Sequence, residues 1–498
     1  MTHNIPHKNK GITHFTFVKI LKRFSPVEIN EFEKMLISPF FNNHTTIIKL
    51  FVELIKFYPE FSDKILTKEN LFSVVNKGKK YDDKIFRKYL SRINKLAEEY
   101  LNIVQIRSEK NKIELNVLTQ LSKRDLNEVY SRKLKDVEKS FSREIDAENS
   151  LLKHQLYTIK YNHKSAQNII NSHSEDLVNS YNNLTDYYLF YTNSILNQIN
   201  TDKISFNNHD EADILSLLAD KIRIEEYVKE LKNLSSEDSR DRILFLDMLI
   251  NDMKMNPPES DFNAYRNLKT LVTENYGRLS MPVQYFYLQR LNVFCIIESV
   301  KGDQDMSKDL FENYKKILEN DLFSLDGTTG LTLLDFRLIL SAALKNNEFE
   351  WVEKFIKEKI YLVNEELRIN LNHYSNALLM FYKMNYAGSL EHIQKIKFAS
   401  LPVTLDIYIL KAKIFYILGH LDSALALADS FRHFIAGNKQ LSDFHKVNLM
   451  NFVKYFKVML RLSVKTDKSK IKKLSEELQS KNNTKEKKWL IEKIEALM

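Results

Sequence analysis

From Lys79 to Asn256 the chain contains neither glycine nor proline. Tight β-hairpins need residues at positive φ, usually glycine. Parallel α/β folds lean on glycine-rich turns at their ligand sites. A stretch this long without either residue is left with one regular solution, a succession of helices. The whole chain of 498 residues holds only 9 Gly and 8 Pro, so the argument extends beyond the run and the expected fold class is all-α. Links between helices then fall to Asn, Ser and Asp, which tolerate left-handed backbone and cap helix starts. The doublets Asn182-Asn183, Asn207-Asn208, Asn346-Asn347 and Asn482-Asn483 are expected to be such links.

Hydrophobic residues make up 44% of the chain and charged residues 28%, the balance of a chain that buries a core. The length suits two to four domains, or one repeat array with a cap. The single cysteine, Cys295, excludes a disulfide framework and a cysteine zinc site within one chain, and fits a reducing compartment. The opening residues MTHNIPHKNKGITHF lack the apolar core of a signal peptide. No apolar run approaches a membrane span. A cytoplasmic location is expected, and the wealth of Lys, Asn and Ile suggests an AT-rich bacterial genome.

The formal net charge of +9 is unevenly placed. Residues 1–112 hold 21 Lys and Arg against 12 Asp and Glu, and the remainder holds 53 of each. Within that remainder, residues 465–498 carry 10 basic and 6 acidic side chains, so the positive field belongs to the two ends. Such asymmetry fits nucleic acid, an acidic partner or an anionic surface; its default meaning is a solvated surface.

The basic part reads as a small helical module over residues 1–112. Phe15 to Phe24 forms a short helix. Ser25-Pro26-Val27-Glu28 is a capping box with Pro at the first helical position, opening a helix to Ile37. A third helix covers Thr45 to Tyr58 and ends at Pro59; Thr67 caps a fourth, Lys68 to Val75. Gly78 sits in the next turn, and Asp82 or Asp83 caps a helix running past Tyr100. At 100° per residue Phe86, Tyr89, Leu90, Ile93, Leu96, Ala97, Tyr100 and Leu101 share one face of it, the core side. Lys84, Arg87, Lys88, Arg92 and Lys95 fall opposite and, with Lys79 and Lys80 of the turn, form a candidate basic patch. The arrangement is similar to a helix-turn-helix, whose second helix offers side chains to the major groove. A solvated face is the default reading, since amphipathic helices place their charges there.

Residues 113–330 are expected to be helical hairpins of degenerate repeat character. Leu115, Leu118, Leu121, Leu126, Val129, Tyr130, Leu134 and Val137 have helical spacing. Tyr181, Leu184, Tyr187, Tyr188 and Tyr191 make a dense aromatic stripe, for which a core position is the default and a binding groove the alternative. Ile214 to Leu234 and Asp241 to Met253 read as two helices around Ser235-Ser236-Glu237. Pro257-Pro258 breaks the chain. Phe262 to Tyr276 is expected to end at a left-handed Gly277. Pro282 opens a helix to Val300 that stops at Gly302. Asp326-Gly327-Thr328-Thr329-Gly330 lacks the Lys-Ser/Thr of a phosphate loop and reads as a turn.

Over residues 331–464 a period appears. Ala412, Phe415, Gly419 and Ala424 have counterparts in Ala377, Met380, Asn385 and Ser389, with Ala377 and Ser389 each 35 residues before their match. Leu340, Ala343, Asn347 and Val352 fit one step earlier. This set resembles a tetratricopeptide repeat: a small residue on the first helix, an aromatic three later, a turn glycine, and a small residue on the second helix. The pattern departs from the family at Phe431, where a small residue is usual and no proline follows. The resemblance implies antiparallel helical hairpins stacked as an α-solenoid, whose inner helices line a groove. It would place Tyr374, Phe381, Tyr382, Lys413 and Tyr416 toward that groove, to grip a protein or peptide. Leu378 and Ile409 stand where some members carry a carboxylate clamp. Residues 465–498, with helices at Ile471 to Leu478 and Trp489 to Leu497, are expected to be a basic cap.

The sequence carries no Walker loop, dinucleotide fingerprint, HExxH, nucleophile elbow or EF-hand. His154, His163 and His173 lack metal spacing and read as surface residues. Acidic pairs such as Asp82-Asp83, Glu98-Glu99 and Glu225-Glu226 diverge around a helix. The expectation is a non-enzymatic scaffold or adaptor without catalytic residues, cofactor or metal. Its alternative is a nucleic-acid-associated regulator acting through the basic module.

Overall fold

A computed structural model of the chain describes residues 12–61, 66–142, 144–168, 173–206, 223–233, 240–255, 261–301, 306–324, 330–397, 400–465, 467–481 and 483–498. Among these residues there are twenty-three α-helices, four short 3-10 turns and no β-strand. Ile145 and Leu279 form an isolated bridge. The chain is all-α. No helix among the described residues is long and apolar enough to cross a membrane. The chain divides into two compact units, Met1–Phe141 and Ser142–Met498.

In the first unit the local capping signals act as the sequence states them. Glu28 donates its backbone N–H to Ser25 Oγ at 3.3 Å, and Ser25 N donates to Glu28 Oε2 at 2.7 Å, closing the box on helix Pro26–Ile37. Thr67 caps Lys68–Val75 and Asp82 caps Asp83–Ser108. The core gathers around Phe32, fully buried, whose ring lies 5.4 Å from Phe51, 5.5 Å from Tyr100 and 5.9 Å from Phe24. The unit continues through Lys110–Ser122 and Asn127–Ser140. Residue 112, the expected module end, lies inside the first of these helices.

In the second unit each helix packs chiefly on its neighbours in the chain: Ala147–Ala166 on His173–Phe206, Glu365–Tyr382 on Tyr386–Gln394, Leu401–Ile417 on Leu421–Gly437. Asp146 joins distant parts of this unit, accepting from Asn149 N at 2.7 Å as a helix cap and from Ser280 Oγ at 2.5 Å. Two expectations fail here. Asn182-Asn183 is no link, because His173–Phe206 runs straight through it. Asn183 folds its amide back onto the Asn179 carbonyl at 2.8 Å, which lets an Asn sit inside a helix. Gly277 is no left-handed stop either: the helix Phe262–Glu274 ends earlier, and Gly277 lies in the 3-10 turn Tyr276–Arg278. The expected links at Asn207-Asn208, Ser235-Ser236-Glu237 and Pro257-Pro258, the stop at Gly302, Asp326 to Thr329 and Asn482 lie outside the described residues.

The repeat returns as a turn met three times, at spacings of 37 and 35 residues. Asn347, Met384 and Gly419 all adopt positive φ, at 60°, 60° and 74°. The three turns share one bond pattern. Asn347 N, Met384 N and Gly419 N reach the carbonyl three residues back, at 3.0, 3.0 and 3.1 Å. The next N–H in each case reaches five back: Glu348 to Ala343, Asn385 to Met380, His420 to Phe415. Asn385, expected in the turn slot, instead caps Tyr386–Gln394 by accepting from Gly388 N. The left-handed residue is the exposed Met384, a strained choice that the packed helices on either side impose. The small residues sit where two helices meet: Ser389 Oγ donates to the Ala377 carbonyl at 2.7 Å, and Ala412 and Ala424 are buried. Phe431, in a slot usually small, is buried and stacks on Tyr408 at 4.7 Å.

Candidate functional site

The five residues expected to line a groove do not form one open face. Tyr374 is buried, and its hydroxyl donates to Asp406 Oδ2 at 2.6 Å; the same oxygen accepts from Arg337 Nη1 at 2.8 Å. Lys413 is buried too, with Nζ 2.6 Å from Glu486 Oε2 and 5.2 Å from the Trp489 ring centroid. The Phe381 ring centroid lies 6.0 Å from the same ammonium. Half-buried Tyr416 meets Trp489 edge-on at 5.8 Å, and Tyr382 packs against the larger core of the unit. Lys413 and Tyr416 therefore converge on the helix Lys487–Glu495 and its preceding residue Glu486.

The basic patch of the first unit lies on the surface. Lys79, Lys80, Lys84, Arg87, Lys88, Arg92 and Lys95 are all exposed, while Phe86, Ile93, Leu96, Ala97 and Tyr100 are buried. Arg87 pairs with Asp83 at 2.7 Å. No ion pair among the described residues engages the other six. Tyr89 belongs to the core side, half-buried against Phe72, with its hydroxyl donating to Asn76 Oδ1 at 3.0 Å. A further cationic hollow, lined by Lys19, Lys22, Arg23, Pro59 and Glu60, had no signal in the sequence pattern.

The feature that departs furthest from ordinary helix packing is His173–Phe206. A surface helix turns its apolar stripe inward and its polar face to solvent. This one largely reverses that order. Leu177, Val178, Tyr181, Leu184, Tyr188 and Ile195 are exposed, Tyr181 at 68% and Ile195 at 55%. Asp176, Ser180, Asp186, Asn193 and Asn197 are buried, beside Leu189 and Phe190. The expected core position of the aromatic stripe is thus overturned for Tyr181, Leu184 and Tyr188; Tyr187 and Tyr191 are half-buried.

The inward polar groups are held by partners on other helices. Asp176 accepts from Lys164 Nζ at 2.5 Å. Ser180 Oγ lies 2.9 Å from His154 Nδ1 and 3.0 Å from Thr158 Oγ1. Asp186 takes the Arg242 Nε at 2.9 and 3.0 Å. Burial pushes the Asp186 carboxyl up to about 6, against the opposing pull of Arg242. Asn193 and Asn197 donate to Asp252 Oδ2 at 2.6 and 2.9 Å, and Arg290 Nε donates to Asp252 Oδ1 at 2.7 Å. His163, expected at the surface, is buried as well.

The outward face has a definite spacing. Leu177, Tyr181, Leu184 and Tyr188 follow intervals of four, three and four residues, and Ile195 continues the row one heptad beyond Tyr188. That is the seam spacing of helices that pack along their length. Its flanks, Asn182, Asn183, Thr185, Thr192 and Ser194, are polar and uncharged. Fully burying an apolar side chain of this size contributes about 1.5–3 kcal/mol, and these six are 42–68% exposed, so they forgo on the order of 5 kcal/mol. Exposed apolar patches of this extent mark interaction surfaces.

Cys295 offers no reactive thiol: it is fully buried, 3.3 Å from the Tyr265 hydroxyl, and burial pushes its thiol up to about 12. Among the described residues no cluster of three or more His, Cys, Asp or Glu is placed to hold a metal ion. No protein-family model, no curated protein and no solved structure matches this chain.

Proposed function

We propose that the chain is a non-enzymatic helical scaffold that binds a protein partner, and that the partner lays an amphipathic helix along the outward apolar edge of His173–Phe206. The observation that carries this reading is the reversal of that helix, with Tyr181 and Tyr188 exposed while Asp186 and Asn193 are buried. The heptad spacing favours a helical occupant, and the uncharged flanks leave affinity to apolar contact. The repeated turn at Asn347, Met384 and Gly419 supports reading the C-terminal hairpins as tetratricopeptide-like, stacked as an α-solenoid that presents this edge. The absence of catalytic motifs from the sequence supports a binding role.

Tyr181→Asp combined with Tyr188→Asp tests the reading. Both side chains are exposed, so thermal unfolding should move little, each change staying within about 0.5 kcal/mol. Affinity for the partner, identified by purification and then titrated calorimetrically, should fall at least about thirtyfold, as for loss of an aromatic hot spot. Unchanged affinity in the double variant would dismiss the reading. If sedimentation shows the chain alone to dimerise, and the same substitutions abolish the dimer, the occupant is a second copy.

A second reading has its own observation: six cations of the basic patch are exposed and carry no ion pair among the described residues. We infer that this face docks nucleic-acid phosphate, making the chain a nucleic-acid-associated regulator. Binding of duplex DNA should then weaken steeply with salt, and Lys84→Gln, Lys88→Gln and Arg92→Gln together should reduce the log–log slope by about 3. No mobility shift at low salt would remove it.

A further inference from the structure

The outward edge of His173–Phe206 carries a complete heptad seam. With Tyr181, Tyr188 and Ile195 at position a, Leu177, Leu184 and Tyr191 fall at position d. Every a and d position from Leu177 to Ile195 is therefore apolar or aromatic. Five of these side chains are exposed, and Tyr191 is half-buried. Val178, at position e, widens the stripe and is 56% exposed. Position f, which faces water in a paired coil, is here the inward one: Asp186 and Asn193 both occupy it and both are buried. The helix thus rests on its own unit by the face a coiled coil leaves free, and turns to solvent the face a coiled coil buries.

The positions beside the seam bear on which helix it accepts. Charges at e and g set partner choice and orientation when helices pair. Here e and g are Val178, Ser180, Thr185, Tyr187, Thr192 and Ser194, and none of them is charged. Such a seam offers a foreign helix no charge to recognise, and it offers an identical helix no charge that repels it. The Glu148 carboxylate approaches from the neighbouring helix Ala147–Ala166, and the Tyr191 hydroxyl donates to it at 2.5 Å.

The seam is also complementary to itself. Two copies of the helix laid antiparallel, about a two-fold axis level with Asp186, bring residues equidistant from that level face to face. Leu177 then meets Ile195 of the partner subunit, Tyr181 meets Tyr191 of the partner subunit, and Leu184 meets Tyr188 of the partner subunit. Each layer joins an a residue to a d residue, and each is apolar or aromatic on both sides. Self-complementarity of this kind is what a two-fold contact demands, since the same patch serves both copies. Asp186 itself points inward and stays out of the contact. The seam from Leu177 to Ile195 is about 27 Å long at 1.5 Å per residue. The helix is already formed and packed on Ala147–Ala166, so pairing carries no cost of helix nucleation.

We propose that the occupant of this edge is a second copy of the same chain, paired antiparallel about Asp186 through the six seam residues. The inference rests on reading the edge as a docking surface, and it adds the identity of the partner and the register of the contact. A seam of this length is a small interface, so the dimer forms in the micromolar range.

Sedimentation equilibrium of the full-length chain over about 1–100 μM tests it, and should show monomer passing into dimer. Leu184→Lys alone and Tyr188→Glu alone should each weaken the dimer at least tenfold, because each sets a charge against an apolar side chain. Both positions are exposed, so the far-UV circular dichroism of each variant should match the parent. Mixed in equal amounts, the two variants should dimerise again. The axis at Asp186 sets position 184 of one chain against position 188 of the other, so the introduced ammonium meets the introduced carboxylate. A parent that stays monomeric at about 100 μM overturns the proposal. If Tyr181→Asp with Tyr188→Asp then still weakens binding of an unrelated protein, the docking surface stands and only its occupant was wrong. A dimer that neither single substitution weakens, or single variants that do not pair when mixed, also overturns the proposal.

Discussion

Asp252→Ala is expected to destabilise the unit Ser142–Met498 by about 3–5 kcal/mol, the usual cost of removing one partner from a buried charged network. Asp252 is fully buried and accepts from Arg290, Asn193 and Asn197 at 2.6 to 2.9 Å. Alanine would leave the two amides without their acceptor in a site water does not reach, and would remove the Asp252 carboxylate from Arg290. The effect is also topological. Asp252 ties Arg240–Lys254 and Met281–Lys301 to the inward face of His173–Phe206, so its loss loosens the hold that keeps the apolar edge outward. Urea denaturation followed by tryptophan fluorescence reads this out, because the chain's two tryptophans, Trp351 and Trp489, both belong to this unit. An Asp252→Ala midpoint matching that of the parent would mean that the network does not hold the helix.

Phe32→Ala is the second large effect, and it falls on the other unit. Phe32 has no exposed surface and touches Phe51, Tyr100 and Phe24 at ring distances of 5.4 to 5.9 Å, with Phe17 at 6.4 Å. Truncating a buried Phe costs about 3–5 kcal/mol, from lost transfer energy and from the cavity left behind. Four rigid aromatic neighbours cannot easily collapse into that space, which places the value toward the upper end. No tryptophan lies in Met1–Phe141, so far-UV circular dichroism is the probe. Loss of helical signal should begin at lower urea than in the parent. An unshifted onset would show that Phe32 is not the centre of this core.

What the sequence makes legible depends on how local the cause is. The caps at Ser25, Thr67 and Asp82 can be read because a side chain and the N–H it accepts lie three residues apart. The turn at Gly419 can be read because glycine advertises positive φ, whereas Met384, with the same φ, carries no such mark. Helical fold class is legible throughout, since glycine and proline scarcity speaks to every segment.

The sites are less legible, and for one reason. In His173–Phe206 the periodicity yields two faces, one of Leu and Tyr and one of Asp, Ser and Asn. Hydrophobicity alone assigns the first to the core. The choice is made by Arg242, Asp252 and Lys164, on two other helices, which offer partners to the polar face. The covering of Lys413 has the same origin: its partner Glu486 stands 73 residues further along the chain. A period shows that a helix has two faces, and only the neighbours decide which one is buried.

The central claim is that the outward edge of His173–Phe206 receives a partner. Its most direct measurement places the photo-crosslinking residue p-benzoylphenylalanine at Tyr188 and, as a control, at Tyr361, an exposed tyrosine outside His173–Phe206. After irradiation of cells that make the full-length chain, the account predicts one discrete protein adduct at Tyr188 and none at Tyr361. No adduct at Tyr188, or the same adduct from both positions, would contradict it.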